Sequence, residues 1–171
     1  YAIGDQTNDY GLEFDSAIFE RVDPASKTLL FLHGTTWASK HWPESNWVEL
    51  AQRSGEAGYN ILLPWWSEEE HQRCSRIAAT CDSVSVLPRV DLNGMREYIS
   101  SVDAVVAVDT GLGHMAAALA VPCLSIYGAT DSTRTGTWGA NQHHLRARFN
   151  CSPCLTRECN LLSETVLQPP C

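Results

Sequence analysis

The chain has 171 residues, seven cysteines and a formal net charge of −8 at pH 7. This length allows one domain with a substantial core, and the 44% hydrophobic and 19% charged residues are typical of a globular protein. The acidic excess disfavours nonspecific binding to nucleic acid or anionic lipid, so we expect no nucleic-acid partner. No apolar run approaches the roughly 20 residues that span a bilayer.

Apolar runs of strand length alternate with helical patterns along most of the chain. Residues 1–27 are polar and acidic, and we interpret them as a lead-in between domains of a longer protein. The predicted strands are residues 28–33, 60–64, 83–87, 102–108 and 122–127, with an edge strand within 143–149. The predicted helices are residues 44–57, 68–80, 92–100 and 112–120.

This alternation predicts an α/β domain over residues 28–150, with a mainly parallel sheet and helices on both of its faces. Ligands of such sheets bind at the carboxyl ends of the strands. We therefore expect the functional side chains in the segments that follow each strand.

The segment after the strand at 102–108 is the most informative of these. Asp109, Thr110 and Gly111 form a tight turn before a helix of small residues, and His114 falls in its first turn. Unpaired amides and the helix dipole favour an anion there, and glycine lets it approach the backbone. A phosphate site is one interpretation, and an ordinary helix cap is the other.

The strand-end segments, taken together and in order, resemble the heptosyltransferases of lipopolysaccharide core assembly, which are glycosyltransferases of the GT-B type. The heptosyltransferase I subgroup is the most similar, and the resemblance covers roughly residues 10–148. The motifs that carry it are Thr35-Thr36 with Lys40-His41-Trp42-Pro43, Leu63-Pro64-Trp65, Leu87-Pro88-Arg89, Val108-Asp109-Thr110-Gly111-Leu112 with His114, and Tyr127-Gly128 with Thr130-Asp131.

The resemblance implies a Rossmann-like domain that is the C-terminal, donor-binding half of a GT-B enzyme. Its donor would be ADP-L-glycero-D-manno-heptose and its acceptor the Kdo-lipid A inner core, held by an N-terminal domain that this chain lacks. The general base would also belong to that domain. The chain alone would therefore bind the donor and not transfer its sugar, without a required cofactor.

The resemblance also implies a role for each matching residue, and the physical chemistry of each side chain agrees with it. Lysine can neutralise a diphosphate, and a carboxylate can accept two ribose hydroxyls. The implied contacts are Thr35, Thr36 and Lys40 with the diphosphate, Glu70 with the ribose, the backbone near Val90 with the adenine, Thr110 and Gly111 with the phosphates, and Asp109 and His114 with the heptose and phosphate side.

Four of the seven cysteines lie in the last 21 residues, which we treat as a separate segment over 151–171. Cys151, Cys154, Cys159 and Cys171 begin with a Cys-x2-Cys pattern that suits a structural zinc site. A disulfide formed on purification and four free thiols are the alternatives. The odd cysteine count favours a reducing compartment, which agrees with a cytoplasmic enzyme working at the inner face of the inner membrane.

Two other functions remain open on the sequence alone. The chain could belong to another GT-B enzyme of nucleotide sugars, such as a later-acting heptosyltransferase or an epimerase. It could also be a noncatalytic nucleotide-binding module. An upstream domain with an acceptor pocket and a carboxylate base would favour transfer.

Overall fold

The computed structural model describes residues 27–163 and 168–171. Apart from Lys27, the predicted lead-in at 1–27 lies outside the described residues. In the described part no helix is long and apolar enough to cross a membrane.

Six strands of the described chain form one sheet in the order β3-β2-β1-β4-β5-β6, and every neighbouring pair is parallel. The strands are β1 (Lys27–Leu32), β2 (Tyr59–Leu63), β3 (Val84–Val86), β4 (Ala104–Val108), β5 (Cys123–Tyr127) and β6 (Gln142–Arg146). The predicted parallel sheet is confirmed, and β6 lies at its edge as expected. The chain builds outward from β1 to β3 and then returns to β4, so the strand order reverses between β1 and β4.

The sheet is covered on both faces because its side chains alternate along each buried strand. Leu30 and Leu32 of β1 pack in one apolar cluster, whereas Phe31 between them packs in the other. The helices are α1 (Glu44–Glu56), α2 (Glu68–Ala78), α3 (Leu92–Ser101), α4 (Gly111–Ala118) and α5 (Ser132–Thr135). Helices α1 and α2 contribute buried side chains to the cluster of Phe31, whereas α3 and α4 contribute Met95, Ile99 and Ala116 to the other.

Local sequence explains where these elements begin and end. The Ser67 hydroxyl accepts the Glu70 amide while the Glu70 carboxylate accepts the Ser67 amide, a capping box that starts α2. Gly58 has φ +84°, which lets the chain turn sharply between α1 and β2. The prediction missed two short elements, α5 and a 3-10 turn at Ala38–Lys40, because three or four residues are too few to show periodicity.

Candidate functional site

A cavity of about 650 Å³ opens at the carboxyl ends of the central strands, between the β1–α1 loop and the start of α4. It lies where the strand order reverses, the usual ligand position of an open parallel sheet. Eight of the nine residues predicted for substrate contact line it: Thr35, Thr36, Lys40, Glu70, Asp109, Thr110, Gly111 and His114.

Val90, the ninth residue, is not among the residues that line the cavity. Its side chain packs against the apolar cluster of α3 and α4. It also lies so close to Gly94 that a β-carbon built on that glycine would stand 2.9 Å from the Val90 β-carbon. A contact of this segment with a ligand would therefore have to come from its backbone.

The central feature of the cavity is an ion pair between the half-buried Lys40 and the buried Asp109, 69 positions apart in sequence. The Lys40 ammonium lies 2.9 Å from Oδ2 of Asp109, and the side chains are 17% and 8% exposed. The Thr130 hydroxyl donates to the same oxygen over 2.6 Å, while the Thr35 hydroxyl donates to the Asp109 carbonyl over 3.1 Å. The sequence predicted that Lys40 faces the diphosphate of a ligand. In the structure it already faces a second anion, the Asp109 carboxylate.

The start of α4 offers a second set of polar groups beside this ion pair. Thr110 is the N-cap residue, but its side chain makes no capping hydrogen bond. A β-carbon built on Gly111 would meet no atom within 4 Å. The first turn of α4 is therefore open toward the cavity, and the positive end of its dipole adds to the attraction of an anion.

Glu70 has already committed one of its carboxylate oxygens. Oε2 accepts the backbone amides of Trp66 and Ser67 over 2.7 and 3.3 Å. Oε1 stands against Gly34, where any β-carbon would collide with it. Only Oε1 is left for a ligand, and its two lone pairs can accept ribose hydroxyls while the capping box stays closed.

The sequence analysis did not identify the apolar wall of the cavity. Trp66 of the β2–α2 loop, Leu92 and Met115 line it together with Leu112. Trp66 and Leu92 are exposed, so this wall presents apolar surface to whatever enters the cavity. A flat heterocycle would find its apolar contacts here, but the pairing of these residues depends on the fold and no local pattern marks them.

His33 was also missed, and it directly follows β1, between Leu32 and Gly34, which both line the cavity. It is 1% exposed, and its Nε2 lies 3.0 Å from the Pro64 carbonyl and 3.1 Å from Sγ of Cys74. Burial, reinforced by the charge of Arg73, lowers its pKa to about 4. His33 is therefore a neutral, structural imidazole at neutral pH.

The four terminal cysteines line a second, smaller cavity of about 80 Å³. All seven cysteines are free. Burial and the neighbouring cysteines raise the pKa of the Cys171 thiol, whereas a hydrogen bond from Thr156 lowers that of Cys154. Among residues 27–163 and 168–171 no three possible ligands are already arranged to hold a metal ion.

Comparison with known proteins agrees with the resemblance over most of the chain. The sequence model of glycosyltransferase family 9 (heptosyltransferase) matches residues 4–164. Lipopolysaccharide heptosyltransferase 1 of Pseudomonas aeruginosa is 47% identical over 159 residues, which is 93% of this chain and 44% of that protein. The chain therefore spans less than half the length of this relative.

Solved structures give the same result at the level of the fold. The structure described as E. coli heptosyltransferase WaaC with ADP has a TM-score of 0.70 and 41% identity, over 72% of this chain and 38% of that one. The structure of the same enzyme with ADP-2-deoxy-2-fluoro heptose has a TM-score of 0.66 and 40% identity, over 71% and 37%. The expected fold class, one half of a GT-B structure, is confirmed, and the chain belongs to glycosyltransferase family 9, the heptosyltransferases.

Proposed function

We propose that this chain is the donor-binding half of a heptosyltransferase and that its ligand is ADP-L-glycero-D-manno-heptose. The observation that carries the proposal is the Lys40–Asp109 ion pair beside the open first turn of α4, in a cavity of about 650 Å³. This volume is within the usual range for small-molecule sites. The similarity to a lipopolysaccharide heptosyltransferase 1 and to a heptosyltransferase solved with ADP supports this ligand.

The ion pair explains how one site could both bind a sugar diphosphate and release ADP. In the free protein Asp109 balances the charge of Lys40 and holds the ammonium in place before a ligand enters. When a diphosphate enters, Lys40 can share its remaining donors with it, and the α4 amides add further hydrogen bonds. Negative charge that develops on the leaving ADP would then meet groups already in place, without a metal.

The roles of the other lining residues follow from the same placement. Thr35, Thr36, Thr110 and Gly111 would contact the phosphates, and Oε1 of Glu70 would contact the ribose. His114 and Asp109 would face the heptose and phosphate side, assisting the reaction without being its base. The backbone near Val90 would approach the adenine. These positions agree with the cavity lining, except at Val90 as described above.

The complete enzyme would add heptose to the Kdo-lipid A inner core of lipopolysaccharide. An acceptor hydroxyl and its base must be held within about 3 Å of their reaction partners, and we infer that the N-terminal half of the enzyme supplies both. The 171 residues alone would then form a donor complex without transfer. We place the enzyme in the cytoplasm at the inner face of the inner membrane, where thiols such as these seven remain reduced.

Replacing Lys40 with alanine tests the donor site. We expect ADP binding to weaken by about 1–3 kcal/mol, the scale of a lost charge-assisted hydrogen bond. Calorimetric titration of the two proteins measures the change. Lys27, an exposed lysine at the opposite end of β1, provides the matched Lys27→Ala control and should leave affinity unchanged. Equal ADP affinity of Lys40→Ala and wild type would contradict the proposal.

A structural zinc ion is a second proposal, which concerns Cys151, Cys154, Cys159 and Cys171. Four thiols around one small cavity supply the donor set that zinc prefers. Because they are not yet arranged for coordination, the ion would have to draw them together. It would serve the segment's structure and no step of the reaction.

Elemental analysis of protein purified without chelator decides this point. We expect about one zinc per chain, lost in Cys154→Ser and retained in Cys81→Ser, whose cysteine lies near α1 instead. Absence of metal, with all four terminal thiols titrating freely, would contradict a zinc site.

A further inference from the structure

The described part of the cysteine-rich segment over 151–171 packs against the loop that carries Lys40. Ser39, the residue before Lys40, is only 3% exposed. Its amide donates to the Arg157 carbonyl over 3.1 Å, and its hydroxyl donates to the Thr156 carbonyl. The backbone of the 3-10 turn is therefore held by the segment on the side away from the large cavity, which Ser39 does not line.

The same segment also holds the loop that carries Thr130. The Leu155 amide donates to the Ala129 carbonyl over 2.8 Å, and the Ser152 hydroxyl donates to the Gly128 carbonyl over 2.6 Å. Cys171 fits closely against Gly128, where a built β-carbon would stand 2.9 Å from its Sγ and 3.3 Å from its backbone. Thr130 therefore follows two residues that are fixed by this segment.

The indole ring of Trp37 lies close both to the Lys40 ammonium and to Arg157 of the cysteine-rich segment. The Lys40 ammonium lies 4.4 Å from the centroid of Trp37, and the Arg157 guanidinium lies 5.6 Å from it. Cations at such distances are attracted to an indole. Lys40 is thus held through its backbone, through Trp37 and through Asp109.

We infer that the cysteine-rich segment positions the Lys40–Asp109–Thr130 group for the diphosphate; the inference rests on the proposed donor site. A lysine side chain loses rotamer entropy when it binds a ligand, and contacts formed before the ligand arrives reduce that cost. Ser39 also lines the small cavity with the four cysteines. The packing of those thiols therefore acts on the residue next to Lys40.

Gly128→Ala is the most direct test, because the added methyl group displaces Cys171 without entering the large cavity. We expect ADP affinity to fall about fivefold, part of the loss expected for a missing charged hydrogen bond. Affinity for adenosine, which lacks the diphosphate, should not change. Gly55→Ala is the matched control: its methyl group would stand 2.9 Å from the Ser83 hydroxyl, far from the site, and should leave ADP affinity unchanged.

Ser39→Ala provides an independent variant that removes the hydroxyl contact between the lysine turn and Thr156. As a single substitution it should weaken ADP binding. In a Lys40→Ala background it should cause no further loss of ADP affinity. The conservative variant Ser39→Thr keeps the hydroxyl and should bind ADP like the wild type. If Gly128→Ala and Ser39→Ala both bind ADP like the wild type while Lys40→Ala binds it more weakly, the positioning role is overturned and the proposed donor site stands. Wild-type protein that does not bind ADP would overturn the donor site and this inference with it.

Discussion

Asp109→Ala is expected to lower the free energy of unfolding by about 3 kcal/mol, the scale seen when one partner of a buried ion pair is removed. The substitution leaves the Lys40 ammonium, with 17% of its side chain exposed, without its carboxylate. It also deprives the Thr130 hydroxyl of its acceptor. Both losses occur at the same oxygen, which makes Asp109 the most sensitive position of the site.

Denaturant unfolding of three proteins measures this effect. Asp109→Asn keeps an oxygen for Thr130 but loses the charge, so we expect a smaller loss than for alanine. Asp82→Ala removes an exposed carboxylate and should remain within about 0.5 kcal/mol of the wild type. An Asp109→Ala protein as stable as the Asp82→Ala control would show that the ion pair does not stabilise the fold.

Acidification from pH 7 to pH 4 is expected to cost about 3 kcal/mol of stability through His33 alone, since one pKa unit corresponds to about 1.4 kcal/mol. Burial first, and then Arg73 and His41, hold the pKa of His33 down at about 4, while Glu70 and the Pro64 carbonyl act in the opposite direction. The ordinary value is 6.5. Between pH 6.5 and 4 the unfolded chain therefore binds the extra proton, and stability falls as pH falls.

The comparison of His33→Gln with wild type isolates this contribution, because other acid-sensitive groups remain in both proteins. The variant should be less stable at pH 7 but lose less stability between pH 6.5 and 4. His143→Gln, a change of an exposed histidine on β6, should keep the wild-type slope. Parallel pH profiles for wild type and His33→Gln would mean that His33 is not held neutral by the fold.

The fold was accessible from the sequence because each buried parallel strand is a short apolar run that ends in polar or glycine residues. The β1 and β4 runs predicted the two segments that meet at the large cavity. The helix predicted over residues 68–80 likewise begins as expected, at a capping motif formed by Ser67 and Glu70. What the motif does not show is that the cap occupies Oε2 of Glu70, since that requires the side-chain rotamer.

The ion pair between Lys40 and Asp109 could not be predicted from the sequence in the same way. Lys40 and Asp109 come together only because β1 and β4 are neighbours, with Phe31 aligned to Val106. Neither residue has a local pattern that marks the other as its partner. The contact of Ser39 with residues 156 and 157 is longer in range still, and no periodicity in the terminal segment predicts it.

Calorimetric titration of the 171-residue chain with ADP and, separately, with UDP tests the central claim most directly. Our account predicts saturable binding of one ADP per chain, tighter than UDP. The same titration followed by nuclear magnetic resonance should change the signals of residues 35–40 and 109–114. Tighter binding of UDP, or changes confined to residues 131–171, would contradict the assignment of this cavity as an ADP-sugar site.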